Sequence, residues 1–374
     1  MFTFLSALSP LKAWLSGSEE DDRNILNGTA FAALKCSLQK ELASSKHQPQ
    51  WLLPHETELV KSVRAETEKW NRNNVTRTQA YLAFYTKNPE IHWSLLAHMV
   101  SRNGGYHMTD LKGSAMKHLI SESDRDSYFT LLEQANAAIF SDAYPQLLLY
   151  EQAKETGLCL RRTLPLFHIS RFMYPIWELF LAEQNSLFLT AALIINEQQM
   201  LENRVLSQPK NADILKKIDF QLQELLGLTA VIFPYKKRKN GLYSLTGLIV
   251  NGFNDPQKRI MTGKKLYQLL FQHPKIYKGI WEFAQSIPHT GSRADYWAPL
   301  FSVHKSPGKI YSPELSVAWN DVPPIRLSKK DWFDDVSQID ELKTYPFIPK
   351  QDITERVLEN IRTIQLINEV KGIF

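Results

Sequence analysis

The sequence predicts a mainly α-helical protein: a multi-helix globular bundle with one small β-hairpin and an irregular, Pro- and aromatic-rich C-terminal strap. Three observations lead there. Most of the chain repeats apolar residues at three-and-four spacing between recognisable helix starts and stops. Only the stretch 229–252 is β-rich. The 374 residues are 44% apolar and 11% aromatic, ample for a large core and above the usual size of one simple domain.

Helices are expected near 24–44, 55–70, 77–87, 89–103, 123–138, 144–156, 170–184, 186–206, 211–226, 256–272 and 353–371. Thr76 with Gln79 reads as a capping box, starting a helix near Arg77 that turns Tyr81, Phe84 and Tyr85 to the core. Asn88-Pro89 reads as a cap followed by Pro at the first helical position. The helix it starts carries Ile91, Leu95, His98, Met99 and Arg102 on one face and is expected to stop at Gly104. Gly157 closes the helix ending at Thr156, Asp255-Pro256 repeats the cap-then-Pro pattern, and Asp352 with Glu355 opens the last helix. Within 229–252, TAVIFPY and LYSLTGLIV flank Asn240-Gly241, the strongest short hairpin signal; two short buried helices are the alternative.

The expected organisation is an apolar/acidic arm over 1–22, a helical body over 23–305, the strap over 306–350, and a C-terminal helix over 351–374 packed on the body. The strap combines Pro307, Pro313, Pro323, Pro324, Pro346 and Pro349 with Tyr311, Trp319, Trp332, Phe333, Tyr345 and Phe347, rings expected to anchor in grooves. The arm has no positive n-region, and its apolar run is broken by Pro10 and Lys12, so it does not read as a signal peptide. It reads as an arm packed on the body or a weak membrane-surface contact. The most apolar runs, Phe172 to Ala182 and Leu187 to Ile195, are far shorter than the roughly 20 residues of a spanning helix. No transmembrane segment is expected. Cys36 and Cys159 are the only cysteines, which suits a reducing cytoplasm, with peripheral membrane attachment as a further option.

Three stretches, NRNNVTRTQAY, PEIHWSLLAHMVSRNGG and MTDLKG, resemble the uncharacterised YppC-like family of spore-forming Gram-positive bacteria, a domain-of-unknown-function family. SLTGLIVNGF (244–253) and HTGSRADYW (289–297) are similar to it too, so the likeness covers roughly residues 25 to 325. The resemblance implies a bacterial protein of shared architecture and assigns no reaction.

The common nucleotide and hydrolase signatures (GxGxxG, GxxxxGK[ST], GxSxG and HExxH) are absent. His92 and His98 stand six residues apart, about 120° around a helix, and cannot both face one ion. No metal site and no cofactor are expected. The candidate ligand residues fall in two polar motifs. SRNGGYH and its continuation offer Arg102, Asn103, His107 and Asp110 around an expected Gly turn; HTGSRADY offers His289, Ser292, Arg293 and Asp295. A guanidinium beside backbone N–H groups suits an anion. The alternative is a buried ionic network, Arg102 pairing with Asp295 or Asp110. Either way the motifs are expected to meet, because such groups are costly to bury without partners.

Charge points elsewhere. Lys236, Lys237, Arg238, Lys239, Lys258, Arg259, Lys264, Lys265, Lys275 and Lys278 stand against Asp255 alone, a surplus of nine in a chain of net charge +5. A basic lobe on a slightly acidic body is the footprint of a phosphate-bearing partner. The leading expectation is therefore a cytoplasmic, non-catalytic binding protein that meets nucleic acid or an anionic membrane surface through that lobe. Two alternatives stand beside it: an enzyme of unassigned reaction with a pocket formed by the two polar motifs, and a subunit of an assembly with a protein partner.

Overall fold

The computed structural model describes residues 25–44, 52–114, 120–224, 230–250, 252, 254–323, 327–349 and 351–371. The arm over 1–22 lies outside them. The elements are α1 (Gly28–Ala43), α2 (Pro54–Trp70), α3 (Asn74–Lys87), α4 (His92–Asp110), α5 (Glu122–Thr156), α6 (Met173–Glu183), α7 (Ser186–Leu201), α8 (Pro209–Glu224), β1 (Ala230–Lys237), β2 (Tyr243–Ile249), α9 (Pro256–Phe271), α10 (Pro274–Ser286) and α11 (Thr354–Lys371). The protein is mainly α, and β1 and β2 form one small antiparallel hairpin. No helix among the described residues is long and apolar enough to cross a membrane.

The core is built round α7, which touches α4, α5, α6 and α9. Phe188 to Ile195 are all buried, so this helix is apolar on every side rather than along one stripe. The neighbouring apolar run is equally inaccessible, with Phe172, Met173, Ile176, Trp177 and Phe180 fully enclosed.

Four expected boundaries move; one is the start expected at Asn88-Pro89, which falls instead at His92, with Ile91 at the cap position and no side-chain cap. The capping residue of α3 is Asn73, whose side chain accepts from Thr76 N at 3.1 Å, while Thr76 Oγ1 accepts from Asn73 N. Thr76 is thus the returning half of the box. The expected break between 138 and 144 does not occur: α5 runs 35 residues straight through Pro145. Proline inside a helix costs about 3 kcal/mol, and here packing on α2, α3, α4 and α7 outweighs it. The expected stop at Gly104 is also absent; α4 continues through Gly104 and Gly105 to Asp110. The helix α10, which the sequence reading missed, opens on Pro274 and packs on β1.

A polar cluster sits inside the core. Asp142 Oδ2 accepts from Asn196 Nδ2 at 2.6 Å and Gln146 Nε2 at 3.0 Å; Gln146 Oε1 accepts from Trp177 Nε1 at 2.8 Å. A π-helical turn, Glu202–Leu206, extends α7 and brings Arg204 to 3.8 Å from Asp142. The strap is tied to this cluster: Trp332 Nε1 donates to Asn196 Oδ1 at 2.9 Å. Trp332, Phe333 and Tyr345 are buried as their composition suggests, whereas Phe347 is 68% exposed.

Two predictions follow from the core. Replacing Trp177 with alanine removes a fully enclosed ring and Gln146's donor, and costs on the order of 3–5 kcal/mol in chemical denaturation. Burial raises the Glu197 carboxyl to about 7, against the opposing hydrogen bonds of Gln198 and Trp93. Its folded value lies above its unfolded one, so its contribution is greatest below about pH 4.5 and is lost as pH rises through 7. The thermal midpoint of Glu197→Gln, measured against wild type, should therefore be relatively higher at pH 8 than at pH 5. A difference independent of pH would contradict this.

Candidate functional site

The two polar motifs meet between α4 and the segment 289–297. Arg102 Nη2 lies 3.5 Å from Asp295 Oδ2, and Arg293 donates to Asp110 through Nε at 2.9 Å and Nη2 at 2.7 Å. Two arginines and two aspartates are thus enclosed with their charges balanced. A bidentate guanidinium–carboxylate contact is the strong form of such a pair.

Each candidate side chain has a structural job in this arrangement. Arg102 donates to the carbonyls of Ile287 and Pro288 and to Tyr106 Oη, and its guanidinium stacks 4.5 Å from the Phe283 ring. Asn103 behaves like a piece of strand: Nδ2 donates to Ile232 O at 2.7 Å and Oδ1 accepts from Ile232 N at 2.9 Å, clasping β1 to α4. Ser292 Oγ donates to Ser312 O, and Ser312 Oγ accepts from Arg293 N. Asp295 accepts from Thr290 Oγ1 at 2.6 Å and Thr290 N at 3.0 Å. His107 is a quarter exposed and 3.9 Å from Asp110, and its ring makes a backbone hydrogen bond to Ala230 at the start of β1. The open Gly turn expected after Arg102 does not exist, and with it goes the anion cradle of backbone N–H groups. The turn is supplied instead by Gly291, at φ 87°, which only glycine adopts without strain.

His289 occupies the middle. Asn74 Nδ2 donates to Ser101 O, which leaves Asn74 Oδ1 to face His289 Nε2 at 2.8 Å; the hydrogen is assigned to Nε2 on that basis. His289 Nδ1 lies 3.5 Å from Asp295 Oδ2. Burial pushes the imidazole down to about 4, the Asp295 contact opposing and Arg102 reinforcing the shift, so the ring is neutral at pH 7.

A pocket of about 270 Å³ opens against this network. His289 and Thr290 line it together with Arg72 and Asn73 before α3, Phe129 and Glu133 of α5, and Glu314, Trp319 and Asp321 of the strap. Glu133 is almost wholly buried; its Oε1 accepts from Arg77 Nη2 at 2.6 Å, and its Oε2 has no hydrogen-bond partner among the described residues. Of the expected ligand residues only His289 reaches the pocket. Arg102, Asn103, His107, Asp110, Ser292, Arg293 and Asp295 stand behind or away from it. Glu133, Arg72 and Asp321 carry no sequence signal of their role, because they converge only in three dimensions.

Part of the expected basic lobe is paired with acids. Arg238 pairs with Glu355 at 2.8 Å, Arg259 with Glu202 at 2.6 Å, and Lys264 is buried on Glu341 at 3.1 Å. Those acids come from other segments, which a count along 236–278 omits. Lys265 is half-buried; Lys236, Lys237, Lys239 and Lys258 remain exposed. No group of three or more His, Cys, Asp or Glu side chains among the described residues is arranged to hold a metal ion.

Gly105 is what lets His289 sit where it does. A Cβ there would lie 2.4 Å from Asn74 Oδ1 and 2.5 Å from His289 Nε2. Gly105→Ala is a gain for an isolated helix. In this protein it should cost about 1–3 kcal/mol, read in urea unfolding, by forcing those groups apart. A stabilised variant would show that the close approach is not constraining.

Comparison with known proteins places these features in a family. Residues 69–360 match the family described as "Protein of unknown function (DUF2515)". The "Uncharacterized protein YppC" of Bacillus subtilis (strain 168) is 39% identical over 279 residues, 74% of this chain and 83% of that protein. No solved structure matches the chain. The matched span contains both polar motifs, the pocket and the hairpin, and the chain belongs to this DUF2515 family.

Proposed function

We propose that the chain is a ligand-binding protein whose site is the pocket beside His289. The observation that carries this reading is Glu133: a pocket-lining residue, almost wholly buried, whose second carboxylate oxygen has no donor among the described residues. Leaving such a group unsatisfied costs about 1–3 kcal/mol or more for a charge, and a bound donor removes that cost. The surrounding ion pairs hold the lining rigid, the arrangement that favours binding without reorganisation. Binding is preferred over catalysis because His289 Nε2 and the Thr290 hydroxyl are occupied, by Asn74 and Asp295. The remaining His289 nitrogen, Nδ1, has no hydrogen-bond partner among the described residues and lies 3.5 Å from Asp295. Cys36 and Cys159 are both exposed and unpaired, which favours a reducing compartment such as the cytoplasm.

Ser316 lines the pocket from an exposed position. In a calorimetric screen of small polar molecules, the reading expects saturable binding to wild type that Ser316→Trp abolishes with little change in melting temperature. Binding indifferent to Ser316→Trp would place the site elsewhere.

A second reading is favoured by the exposed lysines at and near the hairpin tip. Lys236, Lys237 and Lys239 have no acid partner among the described residues, and a solvated cluster of this kind suits a polyanion, nucleic acid or anionic membrane. Changing all three to alanine should leave the fold intact and weaken association with DNA, RNA or anionic vesicles. That association should fall steeply with salt. No association at low salt removes this reading.

A further inference from the structure

We infer that the pocket takes a small organic cation, a primary amine or a guanidinium. This rests on the reading of the pocket as a ligand site and names the class of ligand. Three carboxylates line it, from Glu133, Glu314 and Asp321, against the single guanidinium of Arg72. Asp321 is already answered, by Asn73 Nδ2 at 2.7 Å and Arg72 Nε at 3.4 Å. Glu133 is answered on one oxygen by Arg77, while the other has no hydrogen-bond partner among the described residues, though the side chain is only 4% exposed. The half-buried Glu314 carboxylate makes no hydrogen bond or ion pair with any described residue.

The balance of groups decides the sign of the ligand. Arg72 and Arg77 are each spent on one acid, and the neutral His289 ring adds no positive charge. An anion would therefore meet the uncompensated Glu314 carboxylate in partly excluded water, where like charges repel. A neutral ligand would leave the Glu314 charge uncompensated. A cationic N–H donor fits, because charge-assisted hydrogen bonds to carboxylate are the strong ones. A volume of about 270 Å³ suits a molecule the size of a short amine or an amino acid.

The test is isothermal titration of the full chain with agmatine and spermidine, with citrate and glucose as the anionic and neutral counterparts, in wild type, Glu314→Gln and Ser316→Trp. Glu314 has no partner among the described residues to strand, so its replacement should leave the melting temperature unchanged. The inference expects agmatine or spermidine to bind wild type saturably, about tenfold or more weaker to Glu314→Gln, and not at all to Ser316→Trp. Citrate or glucose binding that Ser316→Trp blocks, without cation binding, would keep the pocket as a ligand site and overturn the cation. Cation binding that both variants retain would assign it to diffuse surface charge and overturn the inference, as would no cation binding at millimolar concentration.

Discussion

Arg102, Asp110, Arg293 and Asp295 are enclosed together with balanced charge, and the rest of this region is arranged so that none of the four is left alone. A buried charge without a partner costs several kcal/mol, more than most single packing contacts return. The two pairs, Arg293 on Asp110 and Arg102 near Asp295, therefore fix where the segment 289–297 lies against α4. From that placement the rest follows. Thr109 holds the Gly291 turn, Ser292 and Arg293 hold the strap at Ser312, and the Gly291 turn leaves Thr290 and His289 facing α3 and α5. The pocket borders this network through His289 and Thr290.

Glycine supplies the complementary constraint. The continuation of α4 through Gly104 and Gly105 brings a bare stretch of helix surface against Asn74 and His289. Helix propensity alone argues against two adjacent glycines there, by about 1 kcal/mol each. The loss is offset by the contact they permit, which lets a neutral imidazole bridge α3 and the 289–297 segment.

Much of the fold was legible in the sequence and most of the candidate site was not, for different physical reasons. Caps and turns are local chemistry: Asp255-Pro256, Gly157 and Asn240-Gly241 each mark an element end that the structure contains. The meeting of SRNGGYH with HTGSRADY was legible from the cost of burying so many polar groups. Errors arose where tertiary packing overrides a local signal. The gap expected between 138 and 144 and the stop expected at Gly104 both lie inside helices held by neighbours on several sides. The basic segment shows the same limit in charge: Arg238, Arg259 and Lys264 find acids 57 to 117 residues away in the chain. Glu133 and Glu314 could not be linked from the sequence, since α5 and the strap converge only in three dimensions.

The most direct measurement of this account is a double-mutant cycle on the central pair, with Arg293→Met and Asp110→Leu read singly and together by urea unfolding. The account predicts that each single change costs about 3–5 kcal/mol, because it strands the other charge. The double variant should then cost far less than the sum, a coupling of at least about 2 kcal/mol. Single costs below about 1 kcal/mol that simply add would mean the buried pair does not position the segment, and the central claim would be wrong.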